Sequence, residues 1–299
     1  MATNRLFSGT GTALVTPFTA DDAFDAAAYR HLIDQQIDGG IDALVVLGTT
    51  GENATIWPDE RRRIVDAAIE HVAGRVPVII GTGNNSTSES IVFSKEAAAA
   101  GADGLLIVGP YYNKPTQAGF RAHVAAIADA TDTPIVIYNV PGRTCFNILA
   151  ETTLRIADEI PSVVGVKEAS GNLAQISDVL AARPDHLAVY SGDDELTLPM
   201  IALGADGVVS VISNAIPAAF GEMVRAALGG DYARAKELHF RLLPAMRACF
   251  LETNPIPVKT VLAAAGVVGG HLRLPLVPME EAARRRVLDA FAEFVTVKA

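Results

Sequence analysis

Short runs of apolar, often β-branched residues recur along the chain, and each is followed by a longer stretch in which apolar residues have helical spacing. Nearly continuous apolar runs of this length are typical of parallel strands that are buried on both faces. We predict eight strands, at Thr12–Thr16, Ala43–Gly48, Val76–Gly81, Gly104–Val108, Pro134–Asn139, Val163–Lys167, Ala188–Ser191 and Gly207–Val211. The pattern therefore predicts an α/β fold with a parallel sheet.

The stretches between these runs predict helices, and glycines mark where several of them end. The sequence Gly-Ala-Asp-Gly occurs at Gly101–Gly104 and again at Gly204–Gly207, each time between a helix and a strand. The clearest helices are predicted at Asp25–Asp38, Pro58–Val72, Ser86–Ala100, Gln117–Ala130, Asn147–Ile160 and Asn172–Ala182. Eight such units predict a (β/α)8 TIM barrel. The alternative is an open doubly wound sheet, which is disfavoured because no Gly-x-Gly-x-x-Gly turn follows the first strand.

Strand signals stop near residue 230. Three helices are predicted beyond it, at Asp231–Met246, Pro257–Ala265 and Pro278–Val297. We therefore expect a barrel over residues 1–230 and a small C-terminal helical extension over residues 231–299. The length of 299 residues accommodates both, because a barrel of this kind takes about 250 residues.

The composition excludes several classes of protein. Half of the residues are hydrophobic and 19% are charged, so the chain can bury a large core. The net charge of -10 argues against nucleic-acid binding. No apolar run is long enough for a membrane span, and the N-terminus lacks a signal core. Cys145 and Cys249 lack metal-type spacing and are expected to be buried or half-buried thiols. We predict a cytoplasmic protein without metal, cofactor, nucleic-acid or membrane partners.

Lys167 is the first candidate for chemistry, because it closes the apolar run Val163–Val166 at the end of a strand, where barrels of this class carry their reacting groups. Burial disfavours the charged form of an amine, and a neutral amine is the nucleophile that attacks a carbonyl. By strand alternation Lys167 shares a face with Gly165 and Val163, and Gly165 would leave space for a small ligand. Alternatively, Lys167 lies just past the strand and pairs with Glu168.

Other strand ends supply polar groups that suit the same chemistry. Tyr138 ends the preceding strand, so its phenol could move protons near Lys167; alternatively, it caps the core. Thr49 and Thr50 form a turn that suits a small carboxylate, unless they only satisfy their own backbone. The guanidinium of Arg143 suits a second carboxylate, although it could also be a surface arginine.

Several of these segments together resemble the dihydrodipicolinate synthase / N-acetylneuraminate lyase family. The resemblance covers essentially the whole chain, in order. It rests on Gly9–Phe18, Gly48–Glu52, Tyr138–Thr144, Val166–Gly171, Glu252–Lys259 and Leu272–Leu276.

The resemblance implies that pyruvate forms a Schiff base with Lys167. It also implies that Tyr138 is a proton relay, which Thr49 connects to Tyr112. In this family that second tyrosine usually reaches in from a neighbouring subunit, so the resemblance implies a homotetramer built of tight dimers. Thr50 would hold the pyruvate carboxylate. Further residues would line the pyruvate pocket, namely Gly192 and Val209.

Within the resemblance, the residue at position 143 decides which second substrate is implied. An arginine here implies condensation of pyruvate with L-aspartate 4-semialdehyde to 4-hydroxy-tetrahydrodipicolinate, in lysine and diaminopimelate biosynthesis. The alternatives are another pyruvate-dependent aldolase of the family, of the 2-keto-3-deoxy-sugar-acid or N-acetylneuraminate lyase type, a dehydratase on the same barrel, or a non-catalytic barrel that binds a keto acid. The family usually has glycine at the position of Cys145, which could alter the loop that carries Arg143.

A second, regulatory site for lysine is also implied. Matching positions for it are Asn53, Ala54, Asn85, Glu89 and Tyr111. Pro58 and Arg61 stand where some inhibited members have histidines, and an arginine near a ligand ammonium would repel it. We therefore expect weak or absent inhibition by lysine.

Overall fold

The structure, a computed structural model, describes residues 5–296 and is a closed barrel of eight parallel strands in chain order. The predicted (β/α)8 barrel is confirmed. The strands are β1 Gly9–Ala13, β2 Ala43–Val46, β3 Val78–Gly81, β4 Gly104–Val108, β5 Ile135–Asn139, β6 Val163–Glu168, β7 Ala188–Ser191 and β8 Gly207–Ser210. The end of the barrel at which the strands finish is called the mouth below, and the opposite end the bottom.

Helices cover the barrel and continue into the predicted C-terminal extension. They are α1 Ala26–Asp38, α2 Pro58–Val72, α3 Thr87–Ala100, α4 Gln117–Ala128, α5 Pro141–Thr144, α6 Ala150–Glu159, α7 Leu173–Ala182, α8 Thr197–Ala202, α9 Pro217–Leu228, α10 Tyr232–Ala248, α11 Ile256–Ala264 and α12 Glu281–Phe291. Asp25 and Ser86, predicted as helical, are N-caps whose side chains accept backbone N–H groups. The last predicted helix was extended to Val297, which lies outside the described residues.

The first strand is the largest error among the predicted strand boundaries. It was predicted at Thr12–Thr16, but β1 is Gly9–Ala13, which pairs with β2 and β8. The strand contains Gly9 and Gly11, and glycine is unusual inside a strand, so the apolar pattern does not indicate this stretch. One of them, Gly11, is there for packing, because a Cβ on it would come within 2.9 Å of Cζ of Phe7. Thr16 instead lies beyond the strand, where its hydroxyl donates to the carbonyl of Gly51.

Two hydrophobic cores result from the alternation of side chains along the strands. One lies between the strands and the helices; the other fills the barrel itself. The barrel core consists of Phe7, Ala13, Ala43, Val45, Ile79, Leu106, Val136, Tyr138, Val140, Ala188, Tyr190 and Val209. A register shift between Ile135 and Val136 places Val163 in the outer core. The prediction that Val163 shares the face of Lys167 is therefore wrong, because alternation fails across such a shift.

The bottom of the barrel is closed by the segment before β1. The ring of Phe7 stacks on that of Tyr190 with 4.2 Å between ring centroids, and the Tyr190 hydroxyl donates to the Phe7 carbonyl. Asp206 pairs there with Arg5 and Arg183. The extension packs α10 on α9 and α12 on both α10 and α11. None of the helices in residues 5–296 is long and apolar enough to cross a membrane.

Candidate active site

Lys167 and Tyr138 lie side by side inside the barrel mouth. They are directly paired between β6 and β5, and the Nζ atom of Lys167 is 4.2 Å from the centroid of the Tyr138 ring. Both side chains are largely buried, with 6% and 5% of their surface exposed. The Tyr138 hydroxyl makes no hydrogen bond within residues 5–296, so it is free to meet a ligand.

Glu168 does not pair with Lys167, which removes the alternative that the two form a structural ion pair. The Glu168 side chain faces the opposite side of β6, where its carboxylate accepts hydrogen bonds from the Asn139 amide at 3.1 Å and the Ser170 N–H at 2.8 Å. Burial raises the pKa of this carboxyl, and those hydrogen bonds oppose the rise. Lys167 is thus a buried amine without a carboxylate partner in the part of the chain described.

Two glycines lie beside the site, and the structure differs from the prediction only for Gly165. A Cβ on Gly165 would come within 3.2 Å of the Tyr190 ring, so this glycine makes space for a core tyrosine rather than for a ligand. Gly192 is the one that faces the lysine, since a Cβ there would lie 3.1 Å from Cε of Lys167. Val209 lies in the barrel core with Tyr138.

Thr49 and Thr50 begin a tight helical turn directly after β2. The turn is anchored through Glu52, which has a left-handed backbone and an almost fully buried carboxylate. The Lys259 ammonium lies 2.6 Å from that carboxylate and also donates to the carbonyl of Thr16. Burial lowers the pKa of Lys259, and Glu52 opposes this. An ion pair from the C-terminal extension thus fixes the predicted carboxylate turn.

Arg143 lies on the short helix α5, which follows β5, and it faces the same turn. Thr49, Arg143 and Asn254 line a cavity of about 170 Å³ at the mouth. One guanidinium nitrogen of Arg143 donates to the main-chain carbonyl of Asn254 at 3.3 Å. Cys145 ends α5 with a left-handed φ of 54°, which explains why glycine suits this position. It is exposed, so the prediction of a buried or half-buried thiol is wrong for Cys145 and correct for Cys249.

Tyr112 is not brought to Lys167 within one chain. Its side chain is 92% exposed and its backbone is left-handed, in the loop after β4. Neighbouring Tyr111 is partly exposed; partial burial and the charge of Glu89 raise the pKa of its phenol. Of the predicted lysine-site residues, Tyr111 and Glu89 therefore interact electrostatically.

The other predicted regulatory positions lie on two different loops. Asn85 accepts a hydrogen bond from Asn113 through its carbonyl, while Asn53 and Ala54 belong to the turn before α2. Arg61 is buried, donates to the carbonyl of Gly81 and stacks its guanidinium 4.3 Å from the Phe93 ring. Burial lowers the pKa of Arg61 to about 10. Its guanidinium is thus held inside the protein.

Sequence reasoning missed Asn254, Glu52 and Lys259 as contributors to the mouth. Lys259 could have been found by the signal that identified Lys167, because it interrupts the apolar segment Ile256–Leu262. Asn254 carries no such signal, since it lies in a loop next to a proline. Among the described residues, no three His, Cys, Asp or Glu side chains are grouped so that they could hold a metal ion.

A buried lysine against a tyrosine ring, at the mouth of a closed parallel barrel, defines a class of (β/α)8 proteins equipped for amine nucleophilic chemistry. The model of the dihydrodipicolinate synthetase family matches residues 6–293. The chain is 63% identical over 299 residues to 4-hydroxy-tetrahydrodipicolinate synthase of Salinibacter ruber, covering 99% of each chain. The chain therefore belongs to the dihydrodipicolinate synthetase family.

Solved structures agree with this assignment. The fold is similar to that of dihydrodipicolinate synthase from Thermotoga maritima, with a TM-score of 0.95, 43% identity and coverage of 97% of this chain and 99% of that one. It is also similar to a dihydrodipicolinate synthase from Cyanidioschyzon merolae with lysine bound, with a TM-score of 0.93, 41% identity and coverage of 96% and 98%.

Proposed function

We propose that the protein is a class I lyase that condenses pyruvate with L-aspartate 4-semialdehyde to form 4-hydroxy-tetrahydrodipicolinate. The observation that carries this proposal is the buried amine of Lys167 beside Tyr138. Within residues 5–296 the amine has no carboxylate partner and the Tyr138 hydroxyl makes no hydrogen bond. Membership of the dihydrodipicolinate synthetase family supports it. We also propose that the enzyme acts in the cytoplasm, as the sequence predicts.

The first half of the reaction takes place at Lys167. Its amine nitrogen attacks C2 of pyruvate, and the carbinolamine loses water to give an imine that is covalently bound to Nζ. Loss of a proton from C3 then gives an enamine. Each of these steps moves a proton close to Nζ, and the phenol of Tyr138, whose ring lies 4.2 Å from Nζ, supplies or accepts it.

The second half joins the two substrates. The enamine carbon attacks the aldehyde carbon of the semialdehyde and forms the new C–C bond, while the C=O π bond breaks and the aldehyde oxygen takes up a proton to become the 4-hydroxyl. The enamine thereby returns to the imine. The amino group of the semialdehyde then attacks the imine carbon, closes the ring and releases Lys167. Two carboxylates must be held during these steps. We assign the pyruvate carboxylate to Thr50 and the backbone of the turn around Thr49, beside Gly192 and Val209, and the semialdehyde carboxylate to Arg143.

The assignment of the second substrate is tested with Arg143→Ala. Alanine removes the guanidinium fork, so we expect turnover with pyruvate and aspartate semialdehyde to fall by about 100-fold or more. This variant should still trap pyruvate on Lys167 with borohydride. That trapping is the control for folding and for the first half of the reaction. Unchanged turnover would mean that Arg143 does not hold the semialdehyde carboxylate. If wild-type protein did not turn over aspartate semialdehyde at all, the second substrate would be a different aldehyde, as in a sugar-acid aldolase.

We propose that Tyr112 completes the site of a neighbouring subunit, and that the protein is a homotetramer of tight dimers. The 92% exposure of its side chain in one chain supports this. Mixing the Tyr112→Phe and Lys167→Met variants under conditions that exchange subunits tests it. If Tyr112 acts in the partner's site, mixed dimers restore about a quarter of the wild-type sites. No recovery after proven exchange would contradict the proposal.

We propose that lysine inhibits this protein weakly or not at all, for a reason that differs from the repulsion expected above. Pro58 offers no side-chain donor or acceptor, and the guanidinium of Arg61 is buried against Phe93. The lysine ammonium would then depend mainly on Glu89. A titration of turnover against lysine tests this, and half-inhibition at low micromolar lysine would contradict it.

A further inference from the structure

Asn254 bridges the two parts of the mouth to which the carboxylates are assigned. It lies just before α11 of the C-terminal extension and is 5% exposed. Its side-chain Nδ2 donates a hydrogen bond of 2.9 Å to the hydroxyl oxygen of Thr50. Its main-chain carbonyl accepts the hydrogen bond from Arg143. One residue of the extension therefore touches both candidate anion-binding side chains, which are 93 positions apart in sequence (143 minus 50).

The direction of the bond to Thr50 has a chemical consequence. A hydroxyl has one hydrogen to donate, and its oxygen can accept from others. Because the Asn254 amide donates, the Thr50 hydrogen is left free, and within residues 5–296 no acceptor receives it. A hydroxyl polarised in this way is set to donate to an anion.

We propose that Asn254 is a positioning residue that holds the Thr50 hydroxyl as a donor for the carboxylate of pyruvate, an inference that rests on the proposed function. Asn254 acts through Thr50 and not on the reacting atoms. Its side chain therefore governs how tightly pyruvate binds before the imine forms. The main-chain contact to Arg143 does not depend on the side chain, so binding of the second substrate is governed separately.

The test measures borohydride trapping of pyruvate on Lys167 as a function of pyruvate concentration, by intact mass. In Asn254→Asp, the carboxylate takes up the Thr50 hydrogen and places a negative charge beside the substrate anion. We expect the half-saturating pyruvate concentration to rise on the order of a hundredfold. In Asn254→Ala, one hydrogen bond is lost, and we expect a rise of about fivefold to tenfold. Maximal labelling at saturation should be unchanged in both.

Two controls separate this proposal from a general structural role. Asn172→Asp adds the same charge at the N-cap of α7, where aspartate caps as well as asparagine, and should leave the half-saturation unchanged. Adding Asn254→Ala to Thr50→Val should have no further effect, because both act on one hydrogen bond.

The outcomes distinguish the two proposals. If wild-type protein gives no adduct, the proposed function fails. If wild-type protein gives the adduct but Asn254→Asp and Asn254→Ala give it at unchanged pyruvate concentrations, the role of Asn254 is overturned. Fully additive effects of the Asn254 and Thr50 substitutions would overturn it as well.

Discussion

Two buried tyrosines lie on either side of Lys167 in the barrel, and they differ in whether their hydroxyl groups are hydrogen-bonded. Tyr138 on β5 and Tyr190 on β7 are both paired with Lys167 in the sheet. The hydroxyl of Tyr190 is committed to the Phe7 carbonyl, and its ring to the Phe7 ring. The hydroxyl of Tyr138 has no such partner within residues 5–296. Tyr190 thus helps to close the bottom of the barrel, whereas Tyr138 keeps its hydroxyl available to a ligand at the mouth.

The contrast extends beyond the tyrosines to the two ends of the barrel. At the bottom, the buried Asp206 pairs with two arginines. At the mouth, buried Asp194 accepts two backbone N–H groups after β8 but leaves Oδ1 without a partner in the described chain, and Asn254 likewise has an unpartnered Oδ1. The buried aspartates at the two ends of the barrel therefore differ, because Asp206 pairs with arginines while Asp194 is held only by backbone N–H groups.

The largest expected effect is on turnover, in Tyr138→Phe. Removing the phenol hydroxyl takes away the proposed proton relay but keeps the ring against Lys167, so we expect the rate of condensation to fall by about 10² to 10⁴. The urea midpoint should stay close to that of wild type, because this hydroxyl bonds nothing in the described chain. A rate within threefold of wild type would remove the functional difference between the tyrosines.

Phe7→Ala should affect stability instead. It empties the bottom of the barrel core and removes the stacking partner of Tyr190, which should lower the free energy of unfolding by about 3 to 4 kcal/mol. Turnover per folded molecule should be unchanged, because the mouth is at the other end. Urea unfolding and active-site titration with borohydride check the two expectations. A large loss of turnover in folded protein would show that the two ends are coupled.

Asp194→Asn should change how stability depends on pH. Burial raises the pKa of Asp194 to about 6 from its ordinary value of 3.8. The folded state then binds more protons than the unfolded state between these values, so this group's contribution to stability falls as the pH rises through the window and stays lower above it. Relative to wild type, the variant should gain about 2 to 3 kcal/mol between pH 4 and pH 7. Equal urea midpoint differences at both pH values would contradict this.

Tyr190→Phe should give the smallest effect. It keeps the stack on Phe7 and leaves the Phe7 carbonyl without its donor, at a cost of about 1 to 2 kcal/mol in the free energy of unfolding. Turnover should be unaffected, which makes this variant the matched control for Tyr138→Phe. A comparable loss of turnover in both would mean that removing either hydroxyl disturbs the barrel as a whole.

Much of the fold could be predicted because its signals are local. The runs at Gly104–Val108 and Ala188–Ser191 have the predicted bounds, since each is short, apolar and flanked by turn residues. β1 was misplaced because glycine is unusual inside a strand, although Gly11 is required there by its packing against Phe7. The position of Val163 was missed because a register shift in a neighbouring pair leaves no mark on the apolar pattern.

The residues of the candidate site could be predicted only where they lie at the ends of single strands. A lysine that closes a buried strand is unusual enough to stand out, and strand order places Tyr138 beside it. The contact between Asn254 and Thr50 joins residues 204 positions apart across a loop, so no local pattern indicates it. The actual place of the Arg61 guanidinium, under Phe93, also depends on how two helices pack.

The covalent role of Lys167 is the central claim, and borohydride reduction in the presence of pyruvate tests it most directly. We predict that intact protein gains the mass of one reduced pyruvyl group per chain and that peptide mapping places it on Lys167. Lys167→Met should gain nothing. Absence of an adduct on the wild-type chain, or an adduct on another buried lysine such as Lys259, would contradict this role.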